Sequence, residues 1–400
     1  MDDRAHSGGL RLLSGQRIAD AMFAAHPRQM SRAGIARTTG LSKPTVSALM
    51  ADMTSAGLVR VASEGQRTGS IGRPAALYEL VPTARQVLAA DIGATKMLVG
   101  VGDLFGNLIV EREMETGPDA PTAFERLGRS ISAMLDAIDE PCSAACIGVP
   151  GIYRTSSDRV EQALNLPGFD GLAPRAWLAE QLGVPADRVH VDNDVNLAAL
   201  GELAHLDDDQ PGGDFAAISI GTGIGGAIVV DGELYRGGTE SAGELGSVLL
   251  AHPEPGEPPI TLEDVASAPS IRKLFGRAIE EGYDSGLAPS SDVPDILAAA
   301  EANDAAARHV LHKVAESMAL AVSHLCLIAD PARVVFGGGV GVNPVFVDAV
   351  RERLEGLVGA PPELAASSLG RRAALAGAVS MSLRIVHETL VPEVLGDQRR

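Results

Sequence analysis

Residues 87–96 read VLAADIGATK, an apolar run that ends in a polar turn containing glycine and threonine. The run at 87–90 predicts a short buried strand, and the apolar residues 97–101 predict a second strand directly after the turn. A further turn at Gly106-Asn107 leads to a third predicted strand at 108–110. The stretch therefore predicts strands joined by tight turns, with a Gly/Thr hairpin between the first two.

A comparable arrangement recurs in the second half of the chain. Residues 215–237 contain two apolar runs on either side of GTGIGG (221–226), followed by a turn at Asp231-Gly232. Two halves that each open with a strand, a Gly/Thr hairpin and a further strand indicate an internal duplication. The sequence therefore predicts an α/β domain built from duplicated halves.

The two Gly/Thr hairpins are candidate phosphate-binding turns. Glycine lets backbone N–H groups approach phosphate oxygens closely, and threonine adds a hydroxyl donor. Asp91 carries a carboxylate of the kind that orients a magnesium ion or its water. Either turn alone also fits an ordinary tight hairpin, but the spaced pair favours nucleotide binding. The candidate nucleotide-binding residues in these turns are Asp91, Gly93, Thr95, Lys96, Gly221, Thr222 and Gly223.

A polar cluster lies between the two hairpins, at the end of an apolar strand. Residues 190–196 read HVDNDVN, and small residues at helical spacing follow them. Carboxylate and amide side chains there suit the binding of sugar hydroxyls, and an aspartate suits acceptance of the proton of an attacking hydroxyl. Helix capping is the alternative role, and we expect one member of the cluster to take it. The cluster consists of Asp192, Asn193, Asp194 and Asn196.

Residues 31–59, SRAGIARTTGLSKPTVSALMADMTSAGLV, predict two short helices around a glycine turn. Ser31 and Ser42 suit the two N-caps, and Gly40 supplies the turn between them. Pro44 is tolerated in the first turn of the second helix. An apolar stripe at helical spacing runs along that helix and comprises Val46, Leu49, Met50 and Met53.

This order of elements is the helix-turn-helix pattern, in which the second helix lies in the DNA major groove. Its exposed first turn presents hydroxyls and one cation to base edges or phosphates. A plain pair of helices that binds nothing has the same spacing, so the pattern leaves both readings open. The candidate DNA-binding residues on this helix are Ser42, Lys43, Thr45 and Ser47.

The segment after the two helices favours DNA binding. Residues 58–62 and 76–80 read as strands on either side of SEGQRTGSIGRP (63–74), which carries Arg67 and Arg73. A β-hairpin with a basic tip is a wing, and an arginine at its tip is placed to enter a minor groove. An ordinary flexible loop is the alternative. A helix-turn-helix and a basic wing together predict that double-stranded operator DNA is a partner.

The distribution of charge supports this division. The 400 residues have a net charge of −19, which by itself argues against nucleic-acid binding. Residues 1–80, however, hold ten Lys or Arg against six Asp or Glu, so the remaining 320 residues carry an excess of 23 negative charges. A basic module on an acidic body meets DNA with one face only.

Other features point to a cytoplasmic chain without a membrane partner. The first residues, MDDRAHSGGL, are polar, and no uncharged apolar stretch reaches the roughly 20 residues that span a bilayer. The three cysteines are too few for a disulfide scaffold, and none forms a C-x-x-C pair. Apolar residues make up 46% of the chain, which is sufficient for a large core.

Taken together, these motifs resemble the ROK family of repressors, open reading frames and sugar kinases, over nearly the whole chain. The order and spacing of the matching pieces are specific to that family. The pieces are GRPAALYEL after the wing, DIGATK, IGVPGIY (147–153), LNLPGF (164–169), DNDVNLAALGE (192–202), IGTGIGG, AGELG (242–246), LEDVASAPSI (262–271) and DPARVVFGGGV (330–340).

The resemblance implies a winged helix-turn-helix at 1–82, followed at 83–400 by an actin-like (ribonuclease-H-like, duplicated) α/β sugar-kinase domain. Its second lobe would begin near residue 200, and ligand would bind in the cleft between lobes. The position of Asp194 is the catalytic base of the family's kinases, and those of Asn193, Glu244 and Glu263 bind sugar hydroxyls. Gly337 and Gly338 would face ATP together with the two hairpins.

One departure from the family concerns its structural zinc. The family's zinc-binding His is replaced by Ser247, which we count among the candidate ligand contacts, and its C-x-C-G-x-x-G-C run is replaced by EPGEPPIT. Serine does not substitute for imidazole as a zinc ligand. An oxygen/nitrogen site at His252, Glu254 and Glu257 is the weaker alternative, so we expect the zinc to be absent and no other metal to replace it.

Three functions fit these observations: a sugar-responsive transcriptional regulator, an active ATP-dependent sugar kinase, and a bifunctional protein. A fused DNA-binding module marks regulators within the family, so we expect a regulator, and a repressor first, whose kinase-like domain senses a sugar without catalysis. Because the nucleotide-binding motifs are intact in the sequence, ATP with magnesium remains a candidate cofactor. We expect a homodimer or homotetramer.

Overall fold

A computed structural model describes residues 3–25, 28–64, 76–138, 140–163, 166–206, 213–251 and 258–396. The N-terminal part, which we call the reading head, comes first and is followed by two lobes. The reading head contains α1 (Asp3–Phe23), β1 (Met30–Ser31), α2 (Arg32–Thr39), α3 (Lys43–Ser55), β2 (Val59–Glu64) and β3 (Ala76–Leu80).

Lobe I follows a short turn, Pro82–Ala84, next to the boundary predicted at residue 82. Lobe I contains β4 (Gln86–Ile92), β5 (Lys96–Gly102), β6 (Leu108–Glu115), α4 (Ala120–Leu135), β7 (Cys142–Val149), β8 (Ile152–Arg154), β9 (Arg159–Glu161), α5 (Pro174–Leu182) and β10 (Val189–Asn193). Helix α6 (Asp194–Ala204) then leads from β10 towards lobe II.

Lobe II is the second half of the duplication, and the last helix of the chain returns from it to lobe I. Lobe II contains β11 (Phe215–Ile220), β12 (Ile224–Val230), β13 (Glu233–Tyr235), β14 (Leu249–Ala251), β15 (Ile260–Thr261), α7 (Glu263–Ala266), α8 (Ala268–Glu280), α9 (Val293–Glu301), α10 (Ala305–Ala329), β16 (Arg333–Gly337), α11 (Gly338–Gly341), α12 (Pro344–Leu354) and β17 (Glu363–Ala366). The returning helix is α13 (Ala373–Gly396).

The two main sheets have the same topology, which confirms the predicted duplication. Written from equivalent edges, the order is β6-β5-β4-β7-β10 in lobe I and β13-β12-β11-β16-β17 in lobe II. In each sheet three consecutive strands are antiparallel, and the first of them lies parallel to a strand that comes later in the chain. The Gly/Thr hairpins connect equivalent strands, β4 to β5 and β11 to β12.

The helix-turn-helix forms as its sequence predicts. The Ser31 hydroxyl accepts a hydrogen bond from the backbone N–H of Gly34 at 3.0 Å, and Ser42 accepts one from Thr45 at 3.2 Å. Gly40 ends α2 with φ 69°, a left-handed conformation that glycine adopts without a steric cost. The predicted stripe of α3 is buried throughout. Strands β2 and β3 pair antiparallel as the wing, whose tip (65–75) lies outside the described residues.

The reading head and lobe I share one apolar core. Buried residues of α1, α2 and α3 belong to the same cluster as residues of β4 and α13. At the contact between α1 and α13, the ring of Phe23 lies 4.1 Å from that of His387. The carboxylate of Glu393, near the end of α13, forms ion pairs with Arg85 and Arg188 of lobe I. Helix α13 therefore holds the reading head against the lobe.

Helix α13 also crosses α6 at very short range. Gly201 of α6 lies against the backbone of Ala373, and Gly377 of α13 lies against the backbone of Leu197. A β-carbon at either glycine would collide with a carbonyl oxygen, so this approach requires glycine on both helices. The helix that begins at Asp194 is thus in close contact with the helix that supports the reading head.

Two stretches, Ala305–Ala329 and Gly370–Gly396, are long and apolar enough to cross a membrane by length and composition alone. Half of each is buried inside the protein. A buried core helix can have the same length and apolar composition, and α10 supplies much of the buried core of lobe II.

Candidate functional site

Two neighbouring cavities open between the lobes, and Asp194 lines both of them. The first, of about 410 Å³, we call the acidic cavity. The second, of about 400 Å³, we call the hairpin cavity. Among other residues, the acidic cavity is lined by Asn193, Asp194, Gly221, Thr222, Gly223, Glu244, Ser247, Glu263 and Asp264. The hairpin cavity is lined by Asp91, Gly93, Thr95, Lys96, Asp194, Gly337, Gly338 and Arg371, among others.

The two cavities separate the predicted ligand contacts from most of the predicted nucleotide-binding residues. All five candidate ligand contacts line the acidic cavity. Six of the candidate nucleotide-binding residues line the hairpin cavity, but the turn at 221–223 lines the acidic cavity instead. Ser219, at the end of β11, borders both cavities and joins the two groups.

Asn193 is the member of the polar cluster that caps α6. Its side-chain oxygen accepts hydrogen bonds from the N–H groups of Val195 and Asn196, at 2.8 and 3.3 Å. Its side-chain N–H₂ donates to the carbonyl of Gly151 at 2.9 Å. The amide therefore fixes the start of the helix, and the next residue, Asp194, projects from the first turn into both cavities.

The environment of Asp194 makes its carboxyl group easier to protonate than that of an ordinary aspartate. Burial raises the pKa of its carboxyl to about 6, and the negative charge of Glu244 contributes to the rise. A hydrogen bond from the backbone N–H of Val195, at 2.9 Å, opposes it. A carboxyl group with a pKa near neutrality is suited to accepting a proton or a hydrogen bond from a ligand hydroxyl.

Glu244 and Glu263 face the same cavity from lobe II. The surrounding protein raises the pKa of Glu244, and the like charge of Glu263 adds to the rise, although the Glu244 side chain is accessible to solvent in the open cleft. Glu263 begins α7, and its carboxylate accepts a hydrogen bond from the N–H of Ile224 at 2.8 Å. That bond holds Glu263 against the hairpin between β11 and β12.

Ser247 lies in the short turn Leu245–Ser247 and is exposed to the acidic cavity. Within the described part of the chain, no group of three or more His, Cys, Asp and Glu side chains is placed to hold a metal. Residues 252–257, which include His252, Glu254 and Glu257, lie outside that part.

The hairpin cavity contains a buried carboxylate whose hydrogen-bonding capacity is unfilled. Asp91 follows the end of the apolar run in β4, and its Oδ1 accepts no hydrogen bond from the described residues. Burial, reinforced by the charge of Asp194, raises the pKa of Asp91 well above its ordinary value. At the mouth of this cavity, Lys96 forms an ion pair with Glu113, and Arg371 lies 3.6 Å from the same carboxylate.

Sequence reasoning missed the partner of Asp192. Arg236, in the loop after β13, places its guanidinium 2.5 Å from the Asp192 carboxylate. Burial alone would raise the pKa of Asp192, but His190, Arg236 and Asn196 lower it below its ordinary value. The two residues stand far apart in the sequence, and neither has a local pattern that identifies the other.

On the reading head, Lys43 is exposed at the start of α3, while Thr45 and Ser47 are half-buried. The Ser42 and Thr45 hydroxyls lie 2.7 Å apart within the N-cap. Sequence reasoning missed Arg37, which is exposed in the last turn of α2. Neither Lys43 nor Arg37 forms an ion pair within the described ranges. The predicted wing cations Arg67 and Arg73 lie outside those ranges.

Comparison with known proteins assigns both parts of the chain. Residues 87–385 match the model of the ROK family, and residues 21–63 match the model of the IclR helix-turn-helix domain. The bifunctional enzyme NanE/NanK of Brucella melitensis is 34% identical over 300 residues, or 74% of this chain and 54% of that enzyme. The chain therefore spans about half the length of that relative.

Two further proteins match most of the chain. The xylose repressor of Caldicellulosiruptor bescii is 26% identical, and the match covers 81% of this chain and 83% of the repressor. A solved structure of a ROK family transcriptional regulator, a homolog of the E. coli MLC protein, matches with a TM-score of 0.75 at 20% identity. That match covers 96% of this chain and 99% of the other, and it establishes a common fold.

Proposed function

Because the chain belongs to the ROK family and carries a helix-turn-helix, we propose that it is a sugar-responsive DNA-binding transcriptional regulator that acts as a repressor. The observation that carries this proposal is the apolar core shared by the reading head and lobe I. A change in the lobe has a direct physical route to the DNA-binding helices through that core. The similarity to a xylose repressor over 81% of this chain supports the same function.

The ligand that fits the acidic cavity best is a sugar without a phosphate or other anionic group. Four carboxylates line this cavity, and none of its described lining residues is Lys, Arg or His. Two cations act on these carboxylates from outside the cavity lining: Arg154 opposes the rise in the pKa of Glu244, and Lys273 adds to the lowering of the Asp264 pKa that hydrogen bonds from Thr261 mainly cause. An anionic ligand would meet like charges there, whereas hydroxyl groups would donate hydrogen bonds to the carboxylates.

DNA would meet the reading head through α3 and the wing. Lys43 and Arg37 supply exposed cations for phosphate oxygens, while Ser47 lies one turn further along α3. The hydroxyls of Ser42 and Thr45 already serve the N-cap, so their contribution to DNA binding would be positional. Arg67 and Arg73 extend the predicted contact to a minor groove.

A sugar kinase is the second candidate function, and Asp91 is the observation that favours it. A buried carboxylate oxygen without a hydrogen bond, facing a second carboxylate, fits a magnesium ion. Asp91 would hold that ion, and Gly93, Thr95, Gly337 and Gly338 would face the nucleotide phosphates. Bound ATP with magnesium would supply a transferable phosphoryl group, and Asp194 would accept the proton of the sugar hydroxyl.

We place catalysis second because the fused reading head marks regulation within the family. The sensor proposal predicts no turnover in a coupled ADP-release assay with any sugar that stabilises the protein. Turnover in the ordinary range of roughly 1–10³ s⁻¹, abolished by Asp194→Asn, would assign the chain to the kinases or to a bifunctional class.

Three further properties complete the proposal. We propose a cytoplasmic homodimer or homotetramer, in keeping with a repressor that binds a symmetric operator. We also propose that the family's structural zinc is absent, because Ser247 and EPGEPPIT replace its ligands. Elemental analysis of the purified protein is expected to find no stoichiometric zinc. About one zinc per chain retained through chelator dialysis would contradict this.

Two steps test the proposed function. Selection from a random double-stranded DNA library should enrich one sequence that the protein binds specifically. A thermal-shift screen should then find at least one neutral sugar that raises the melting temperature, because a ligand that binds only the folded state stabilises it. The matched comparison is each sugar with its phosphate ester, which should shift the melting temperature less. Failure to enrich any DNA, or stabilisation by phosphorylated sugars alone, would overturn the proposal.

A further inference from the structure

The carboxylate of Asp192, in β10 just before α6, is buried and contacts several polar groups. The residue is only 2% exposed. One of its oxygens accepts hydrogen bonds from the Asn193 N–H at 2.9 Å and the Asn196 side-chain N–H₂ at 2.8 Å. The other lies 3.3 Å from Nε2 of His190. These contacts tie the end of β10 to the first turn of α6, from which Asp194 projects.

The remaining contact of the Asp192 carboxylate comes from the other lobe. The Arg236 guanidinium lies 2.5 Å from the Asp192 carboxylate oxygen that faces His190. Asp192 belongs to β10 of the lobe I sheet, whereas Arg236 follows β13 of the lobe II sheet. The ion pair therefore joins the two lobes.

Each partner is connected through the chain to a carboxylate that lines the acidic cavity. Asp192 is followed two residues later by Asp194, and Arg236 begins the segment that leads to Glu244. That segment folds back on itself, because the Ala242 N–H donates to the Arg236 carbonyl at 3.2 Å. The backbone of Gly243 then lies directly against that of Gly226 in the acidic-cavity hairpin. The position of Glu244 is thus linked to that of Arg236 by a short, constrained path.

We propose that Arg236 is a positioning residue for ligand binding, which acts through Asp192 to set the separation of Asp194 and Glu244 across the acidic cavity. The proposal rests on the proposed function in one respect, that the acidic cavity binds the sugar. Arg236 itself does not line that cavity. Its effect on the ligand is therefore indirect, through the placement of two carboxylates on opposite lobes.

A second ion pair, formed by a residue just before that segment, provides a matched control. Arg384 of α13 lies 3.5 Å from Glu233, which is three residues before Arg236. The two side chains of this control pair are 57% and 71% exposed. Exposed pairs of this kind contribute little, whereas removing one partner of a buried pair leaves an uncompensated charge. The two pairs thus differ in burial, although both join separate elements and Glu233 and Arg236 are only three residues apart.

The experiment compares Arg236→Gln with Arg384→Gln. Isothermal titration with the most stabilising neutral sugar should show about tenfold weaker binding for Arg236→Gln, the size of a strong pairwise coupling. Arg384→Gln should bind within twofold of the parent. Arg236→Lys keeps the charge and should recover most of the affinity. Adding Asp192→Asn to Arg236→Gln should cost little more, since the two side chains act as one unit.

Hydrogen exchange supplies a readout that does not depend on any sugar. Peptides covering 193–199 and 237–244 should exchange faster in Arg236→Gln than in the parent, and at the parent rate in Arg384→Gln. If Arg236→Gln fails to fold, the Asp192→Asn single variant carries the same comparison, with Arg236→Lys as the variant that keeps the charge. Unchanged exchange in both peptides, or sugar affinity within twofold of the parent, would overturn the positioning role. A parent that binds no sugar but shows the exchange pattern would refute only the proposed function.

Discussion

The reading head and the acidic cavity hold their polar groups in opposite ways. On the reading head, Lys43 and Arg37 are exposed and make no ion pair in the part of the chain that the structure describes. In the acidic cavity, the protein surrounds Asp194 and Glu244 closely enough to raise both pKa values. Exposed cations suit a long polyanion, while enclosed acceptors suit a small ligand with hydroxyl groups.

This contrast shows that the average composition of the chain is a poor guide to its ligands. A net charge of −19 describes the body of the protein and conceals a basic module at one end. The acidic body in turn disfavours DNA everywhere except at the reading head. The two binding surfaces are nevertheless joined, because α13 contacts both the reading head and α6.

The largest expected effect tests whether the two regions share one core. Ile18 of α1 is 0% exposed within the common cluster, and Ile18→Ala should lower the free energy of unfolding by about 2–5 kcal/mol. Leu13 of the same helix is 65% exposed, so Leu13→Ala should stay within about 0.5 kcal/mol of the parent. Urea denaturation followed by circular dichroism measures both. Equal effects of the two substitutions would contradict the burial of Ile18 in the common cluster.

The next effect concerns the ligand. Asp194→Asn should weaken sugar binding by about 1.5–3 kcal/mol, since a charged acceptor that faces the acidic cavity is lost. Its affinity for the selected DNA should be unchanged in the absence of sugar. Asp187→Asn, at an exposed position just before β10, is the control and should bind sugar as the parent does. Isothermal titration gives the comparison, and equal affinities for both variants would exclude Asp194 from the site.

A pH titration sharpens the same point. With the pKa of Asp194 raised from 3.8 to about 6, its carboxylate form predominates only above pH 6. Sugar affinity should therefore increase as pH rises through 6, with a loss of about tenfold at pH 5. In the free protein the sign is opposite: the raised pKa contributes stability below about pH 4, which is lost as pH rises through 6. An affinity that is flat from pH 5 to 7.5 would contradict this assignment.

The smallest effect belongs to the reading head. Lys43→Ala should weaken DNA binding modestly and reduce the slope of log affinity against log salt concentration by about one, because one phosphate contact is removed. Lys273→Ala, exposed on lobe II, should leave both quantities unchanged. Fluorescence anisotropy at several salt concentrations measures the slope. A slope that Lys43→Ala leaves intact would place DNA elsewhere on the molecule.

Much of the fold follows from local sequence patterns. The strands on either side of both hairpins, the serine caps and the stripe of α3 depend on neighbouring residues, and each was predictable from spacing. The third strand of lobe I extends further than predicted, to Glu115, because its continuation pairs with β5 although its own sequence is charged. Tertiary pairing there overrides a pattern that looks polar.

The contacts that join the regions were not predictable in this way. The Asp192–Arg236 ion pair, the crossing of Gly201 and Gly377, and the contact of α1 with α13 each link residues distant in sequence. Asp91, the polar cluster at 192–196 and the two glycine turns were found because they lie at strand ends and in turns. The positions of Glu244, Ser247 and Glu263, in contrast, came only from the family resemblance. The turn at 221–223 faces the acidic cavity, a placement that depends on how the lobes close and has no local signature.

One titration tests the central claim directly: the affinity of the protein for its selected DNA, measured by anisotropy with and without the stabilising sugar. Binding of sugar and DNA is reciprocal, so a repressor should lose affinity for DNA by the same factor that DNA weakens the sugar. We expect a loss of at least about tenfold, or 1.4 kcal/mol, in the parent, and a much smaller loss in Asp194→Asn at the same sugar concentration. A sugar that raises the melting temperature yet leaves the DNA affinity of the parent unchanged would contradict the account.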